Sequence, residues 1–355
     1  MAGRHERALE IANELGVDAV LVAKPESVTW LTGYAPPFGT APNPWSSPAL
    51  ALVSPDGALL IVADDQCPTE NACPTATYPG YGLGKVDRVT HLKHLLGDLI
   101  DGRLVAIEAD TLPVAVSSDL TWVDAAEPLA SARAVKDPDE LELIARAVEV
   151  ADIGQRAVRR AVSEGLSEIE LWNGTQAAME AAGGANPASM SSVIVRPSLA
   201  RFGGAPGYHI VNAGDVVLAD LVPCVAGYWA DSCSAVAVGT PTKAARRAYS
   251  QVSRRLQSAL DIVKPGLRSG DLDAFLRDGL YYPHHSGHGV GTSFHEEPRI
   301  VPRGRSILKD GMVIAIEPAQ YTEQTGVRLE VLLRVTSDGC EVLSHHDVGH
   351  EGWSC

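Results

Sequence analysis

Four acidic residues set in apolar, strand-like runs constrain this chain more than anything else in it. Val216-Val217-Leu218-Ala219 leads into Asp220, and Asp231 stands shortly before Ala235-Val236-Ala237. Met312-Val313-Ile314-Ala315-Ile316 runs into Glu317-Pro318, and Glu330 sits between Val327-Arg328-Leu329 and Val331-Leu332-Leu333. One such acid could simply bond backbone or pair with an arginine. Four carboxylates in one core repel one another and are driven to protonate unless cations neutralise them. Two divalent ions carry four positive charges, which matches four carboxylates.

Turn geometry says where two of these acids point. With Ala226 and Gly227 as the two turn residues, antiparallel pairing sets Val222 opposite Asp231, and Asp220 lies two residues from Val222 on the same face. Diagonal neighbours of this kind are roughly 7 Å apart at Cα, close enough to share metal ions. A fifth group comes from Ser286-Gly287-His288-Gly289-Val290-Gly291, which is followed by Phe294-His295-Glu296-Glu297-Pro298. Glycines on both sides of His288 let the backbone approach closely and aim the imidazole into a site. Clustered Asp, Glu and His mark metal sites. The candidate ligands are therefore Asp220, Asp231, His288, Glu317 and Glu330, with His295 facing substrate.

A length of 355 residues predicts about two domains. Arg7 to Leu15 reads as a helix stopped by Gly16, and Val17 to Ala23 as a strand. Ala49 to Val53 and Ala58 to Ala63 are strands joined by the turn Ser54-Pro55-Asp56-Gly57. Helical spacing over Lys85 to Ile100 and a strand over Arg103 to Ala109 complete an alternating pattern that suits a small mixed sheet over residues 1 to 130. Asp137, Pro138 and Glu140 form a capping-box start for a long helix that opens a second domain, 131 to 355. Its further elements are a helix over Ser167 to Ala182, a strand pair over Asp215 to Val238, a helix over Thr242 to Val263, and strands over Met312 to Glu317 and Val327 to Val335.

Acidic residues outnumber basic ones 44 to 29, and no Lys/Arg stripe is present to neutralise phosphates, so nucleic acid is not an expected partner. No run of about 18 apolar residues would span a bilayer, and the start carries no signal-like apolar segment, so a cytoplasmic location is expected. The six cysteines are scattered without a Cys-x-x-Cys pair and read as thiols. Gly80 to Lys85 lacks the context of a phosphate loop and reads as an ordinary loop. No His-Glu-x-x-His helix or Gly-x-Ser-x-Gly elbow is present.

Taken together, these residues resemble the pita-bread metallopeptidases, the family of methionine aminopeptidase, prolidase, aminopeptidase P and, without the metals, creatinase. Val17 to Val22 with Trp30-Leu31-Thr32-Gly33-Tyr34 resembles the creatinase-type N-terminal domain, and Ala134-Val135-Lys136 its linker. Gly214-Asp215 through Asp220, Gly227-Tyr228 through Asp231, His288, Glu317-Pro318 and Arg328-x-Glu330 fall in the family's order. The resemblance implies an α/β (α+β) chain with a mixed-sheet creatinase-like N-terminal domain and a C-terminal pita-bread domain. It further implies that Asp231 and Glu330 bridge two ions, that His288 and Glu317 complete one site, and that Asp220 binds the other. Glu317 would shuttle protons, and His295 and Arg328 would lie on the substrate side. Mostly oxygen donors suit a fairly hard ion such as Mn²⁺, with Co²⁺, Fe²⁺ or Zn²⁺ as alternatives. A homodimer is implied as well.

Three departures stand out. Ser232-Cys233-Ser234-Ala235 occupies the place of the family's Arg-Thr pair, with Cys233 where a threonine is usual. Ala319 follows Glu317-Pro318 where glycine is common. The family's upstream substrate-side histidine is replaced by Phe202-Gly203-Gly204, leaving His209 as the candidate for that catalytic role. The expected function is hydrolysis of Xaa-Pro peptide bonds. The altered run keeps open a hydrolase of small non-peptide amides or amidines, and the third reading is an inactive binding module.

Overall fold

A computed structural model describes residues 1–36, 47–70, 73–80, 87–183, 189–348 and 353. Most of the Gly80 to Lys85 loop, the first residues of the helix expected from Lys85, and Cys355 lie outside them. The chain divides into two compact units, Met1–Arg133 and Ala134–Cys355.

The N-terminal unit is built on strands β1 (Ala19–Val22), β2 (Leu50–Ser54), β3 (Gly57–Ala63), β4 (Thr75–Tyr78), β5 (Leu104–Ile107) and β6 (Thr121–Asp124). They form one sheet in the order β4-β3-β2-β1-β5-β6. The β1-β2 and β2-β3 pairs are antiparallel and the others parallel, which makes the sheet mixed. Helices α1 (Ala2–Leu15), α2 (Pro25–Thr32), α3 (Arg88–Ile100), α4 (Val114–Ser117) and α5 (Ala126–Ala134) accompany it. Alternate residues of β1 enter different cores, Val20 and Val22 one and Ala19 and Leu21 the other, so the sheet is covered on both faces. Gly16 ends α1 in the left-handed conformation, φ 68°, as its position after Leu15 predicts.

In the C-terminal unit, α6 (Pro138–Ala161) starts with the expected capping box between Asp137 and Glu140. It buries Ile144, Val148 and Ala151. Then come α7 (Glu168–Gly183), β7 (Ser192–Val195), β8 (Val216–Leu221), β9 (Cys224–Val225), β10 (Tyr228–Trp229) and β11 (Ser232–Ala237). After α8 (Lys243–Leu260) and α9 (Ser269–Arg277) the chain continues through β12 (Gly287–Gly289), β13 (Glu296–Ile300), β14 (Val313–Ile316), β15 (Ala319–Tyr321), β16 (Gly326–Arg328), β17 (Val331–Val335) and β18 (Cys340–Val342). Two sheets matter for the site, β11-β8-β7 and β13-β12-β14-β17-β18.

The strand expected over Val327 to Val335 is in fact two, β16 and β17, because the chain changes partners between them. β16 pairs with β15, whereas β17 pairs with β14 and β18. At the break, Glu330 N–H donates to the Cys233 carbonyl (2.9 Å), which ties this glutamate to the strand after Asp231.

Glu168, the first residue of α7, is a buried polar anchor beside β7. Its fully buried carboxylate accepts from Val195 N–H (2.6 Å), Gly207 N–H (2.8 Å) and both terminal nitrogens of Arg201. Burial works against ionisation, but Arg201 and the two backbone donors outweigh it and hold the carboxyl below its ordinary pKa. A lowered carboxyl stabilises the fold above its unfolded pKa, and that contribution is lost as pH falls through the folded value. Glu168→Gln should therefore destabilise the protein by about 3 kcal/mol at neutral pH, as for other broken buried pairs. Urea denaturation at several pH values checks this, with the gap between variant and wild type closing in acid.

Candidate metal centre

The aspartate hairpin turns as its sequence requires. Ala226 (φ 50°) and Gly227 (φ 83°) form the two-residue turn, both in the left-handed region that such hairpins demand. The register follows, with Tyr228 opposite Val225, Ala230 N–H donating to the Pro223 carbonyl (3.0 Å), and Cys233 opposite Asp220. The same register places Asp231 across from Val222, so Asp220 and Asp231 share a face.

His288 arrives from the centre of β12, between β13 and β14. This crowding explains the flanking glycines. A Cβ on Gly287 would come within 2.1 Å of the Ala315 carbonyl oxygen, and one on Gly289 within 2.1 Å of that of Glu297. Only glycine lets three backbones pack so closely. Glu317 follows β14 directly, and Glu330 sits at the break before β17.

Asp231, His288, Glu317 and Glu330 are all buried. His288 Nε2 lies 3.6 Å from Asp231 Oδ2, 3.7 Å from Glu317 Oε1 and 4.0 Å from Glu330 Oε1. Its Nδ1 is 3.0 Å from the Gly289 carbonyl oxygen, an acceptor, so Nδ1 carries the proton and the Nε2 lone pair faces the carboxylates. Asp231 Oδ1 is buried without a hydrogen-bond partner. Asp220, the partly buried fifth member, is ion-paired with Arg328. Together these groups line a cleft of about 220 Å³, along with Met190, Val222 and Phe294 as its apolar lining and His284, His285 and His295.

Electrostatics sort the carboxylates. Burial, reinforced by repulsion from the neighbouring acids, raises Asp231 and Glu330 well above the ordinary carboxyl range. Asp220 is raised by burial too, with Arg328 opposing. Burial also acts on Glu317, but His285, His284 and His288 overcome it and hold that carboxyl at about 2. Burial pushes His288 down to about 3 and His295 down to about 4, leaving both as lone-pair donors. Crowded carboxylates, an unpartnered buried oxygen and an imidazole lone pair aimed at them fit a divalent cation.

His295 stands at the mouth, its ring centroid 4.0 Å from that of His288. His209 does not join the group. Its side chain is exposed, its carbonyl oxygen accepts from Glu168 N–H (3.0 Å), and it is absent from the residues lining the cleft. Backbone bonds from Glu168 and Ile169 to the His209 and Gly207 carbonyls, and from Val211 to the Leu166 carbonyl, tie this loop to the start of α7. Conversely, His284 and His285 line the cleft although sequence reasoning passed over them. Their one signal is that the doublet immediately precedes Ser286-Gly287-His288.

The Ser232 to Ala235 departure is also relocated. Ser232 and Ser234 bond to Gln155 of α6, through Gln155 Nε2 to Ser232 Oγ (3.1 Å) and Ser234 Oγ to Gln155 Oε1 (2.6 Å). Strand alternation puts Cys233 and Ala235 on the aspartate face, where both are buried and outside the cleft lining. Ser232 and Ser234 belong to the wall behind the site, whereas Cys233 neighbours Arg328.

Two folded units of this kind, with this constellation, define a metallohydrolase of the pita-bread architecture. The chain belongs to metallopeptidase family M24, whose sequence model matches residues 142–337, and residues 4–135 match the creatinase/prolidase N-terminal domain. It is 28% identical over 354 residues to an Xaa-Pro dipeptidase of Pyrococcus furiosus, covering 97% of this chain and 98% of that one. Among solved structures it is similar to the prolidase from Pyrococcus furiosus (26% identity, TM-score 0.81, 95% and 99% covered). It is likewise similar to an X-Pro aminopeptidase from Thermotoga maritima (25% identity, TM-score 0.83, 99% of each chain). Members of the family use divalent metals, and the buried cluster supplies candidate ligands. No helix among the described residues is long and apolar enough to cross a membrane.

Because burial and repulsion among the acids favour the protonated form of Asp231 and Glu330, metal uptake should release protons and metal affinity should rise with pH. Calorimetric titration of Mn²⁺ in buffers of different ionisation enthalpy reads the released protons directly. An affinity unchanged between about pH 5 and pH 7 would contradict the electrostatic picture.

Proposed function

We propose that this protein is a dinuclear Xaa-Pro peptidase of the prolidase or aminopeptidase P type. The carrying observation is the five-residue cluster, complete and assembled in one cleft, in a chain that spans nearly the whole length of an Xaa-Pro dipeptidase. In this reading Asp231 and Glu330 would serve both of two ions, His288 and Glu317 would hold one, and Asp220, oriented by Arg328, would hold the other. Mn²⁺ suits a donor set of four carboxylates and one imidazole, with Co²⁺, Fe²⁺ or Zn²⁺ able to replace it. Such ions supply Lewis acidity toward the scissile carbonyl and acidify water. Glu317 moves the proton from the attacking water to the leaving amine, and His295, at the mouth, contacts the peptide. Met190, Val222 and Phe294 give the cleft its apolar lining.

With Ser232 and Ser234 bonded to α6, nothing in the cleft specifically favours the small-amide hydrolase. A homodimer supported by the N-terminal unit and a cytoplasmic location belong to the same proposal on family resemblance. Sedimentation at micromolar concentration reads the former.

Metal-reconstituted protein should cleave Xaa-Pro dipeptides or longer Xaa-Pro peptides in preference to small amides. Asp231→Ala or Glu330→Ala should lower both metal occupancies, and Asp220→Ala mainly one. His295→Ala should keep the metal and lower kcat/KM by about 10- to 100-fold. Undiminished metal in either bridging variant, or amide cleavage without Xaa-Pro cleavage, would reject the reading.

A further inference from the structure

Three histidines, His285, His288 and His295, have ring nitrogens that all lie within 4.8 Å of one another. Distance alone would make them a nitrogen-only metal site. Hydrogen-bond chemistry separates them. The Nδ1 of His288 faces a carbonyl oxygen and must donate, which frees Nε2 as a ligand. The Nδ1 of His285 instead faces Arg299, with the guanidinium Nη2 2.8 Å away. Arginine only donates, so this Nδ1 is the acceptor and the ring proton sits on Nε2. A protonated Nε2 cannot bind a metal without losing that proton, and its neighbour is an acceptor: Glu317 Oε1, 2.7 Å away.

We propose that His285, held by Arg299 in its Nε2–H tautomer, is a positioning residue that donates to Glu317 and fixes that carboxylate, and that it is not a metal ligand. The proposal rests on the reading of Glu317 as ligand and proton carrier. The contact is short but off the N–H axis, so Glu317 Oε1 keeps a lone pair for a cation, and a small rotation completes the bond. The frame behind His285 is stiff. Ser286 Oγ donates to Asp273 Oδ1 (2.6 Å), Tyr282 and Ser286 hydroxyls lie 2.7 Å apart, and Arg277 binds both Asp273 and the Tyr282 carbonyl. Arg299 comes from β13, the strand beside β12, so the relay crosses the same sheet that carries His288. Outer partners of this kind set the orientation of a ligand and its basicity.

The test uses the full chain labelled with ¹⁵N-histidine, observed metal-free and with Zn²⁺ bound. The His285 ring should show the Nε2–H tautomer in both states, and Arg299→Met should shift it toward a mixture. His285→Gln, which keeps an N–H at the Nε2 position, should retain the wild-type number of metal ions and most of the activity. His285→Leu should keep the same metal number, bind metal about 10- to 100-fold more weakly, and lose kcat with KM held within about threefold. A His285 ring protonated at Nδ1, a metal ion lost in His285→Gln, or equal impairment of the Gln and Leu variants would each overturn the proposal. If the wild type binds metal but cleaves no Xaa-Pro peptide, the functional reading fails while the tautomer result still decides the relay.

Discussion

Crowding of like charges inside an apolar sheet governs the C-terminal unit. Asp231, Glu317 and Glu330 are buried beside one another, with Asp220 at their edge. The desolvation of each ion and the repulsion among them oppose folding. Arg328 offsets part of this at Asp220, and the imidazoles offset part at Glu317. At Asp231 and Glu330 burial and the neighbouring acids outweigh Arg328 and favour the protonated carboxyl. A divalent ion is the partner that this arrangement lacks among its own side chains, and binding it links metal to stability.

Much of the surrounding architecture follows from the need to bring these groups together without clashes. Glycines at 287 and 289 admit β12 between two strands, and the positive-φ turn at Ala226-Gly227 sets both aspartates on one face. The break at Leu329-Glu330 lets one segment pair with β15 and then with β14 while its glutamate reaches the Cys233 backbone. Gln155 of α6 closes the far side by bonding Ser232 and Ser234, so the residues that depart from the family pattern stabilise the wall of the site.

The parts legible in the sequence were those with a strict local rule. Two-residue turns and period-2 alternation fixed the aspartate register, the capping box marked the start of α6, and apolar runs marked most strands of the N-terminal sheet. Interactions between distant segments were not legible. His285 becomes meaningful only because β13 brings Arg299 beside it, fourteen residues away in sequence. His209 was the only upstream candidate, though closer to Asp220 than the family's histidine, and hydrogen bonds between its loop and α7 hold it in solvent. The Ser232 to Ala235 run looked like a pocket change because its partner Gln155, 77 residues away from Ser232, is visible only in the fold.

We propose that the carboxylate cluster holds two metal ions, with Asp231 and Glu330 serving both. Crystals grown with Mn²⁺ and measured near its absorption edge test this most directly. The account predicts two anomalous peaks, both in contact with Asp231 and Glu330, one beside His288 and Glu317 and the other beside Asp220. A single peak held by His285, His288 and His295, or no peak in the cleft, would contradict it.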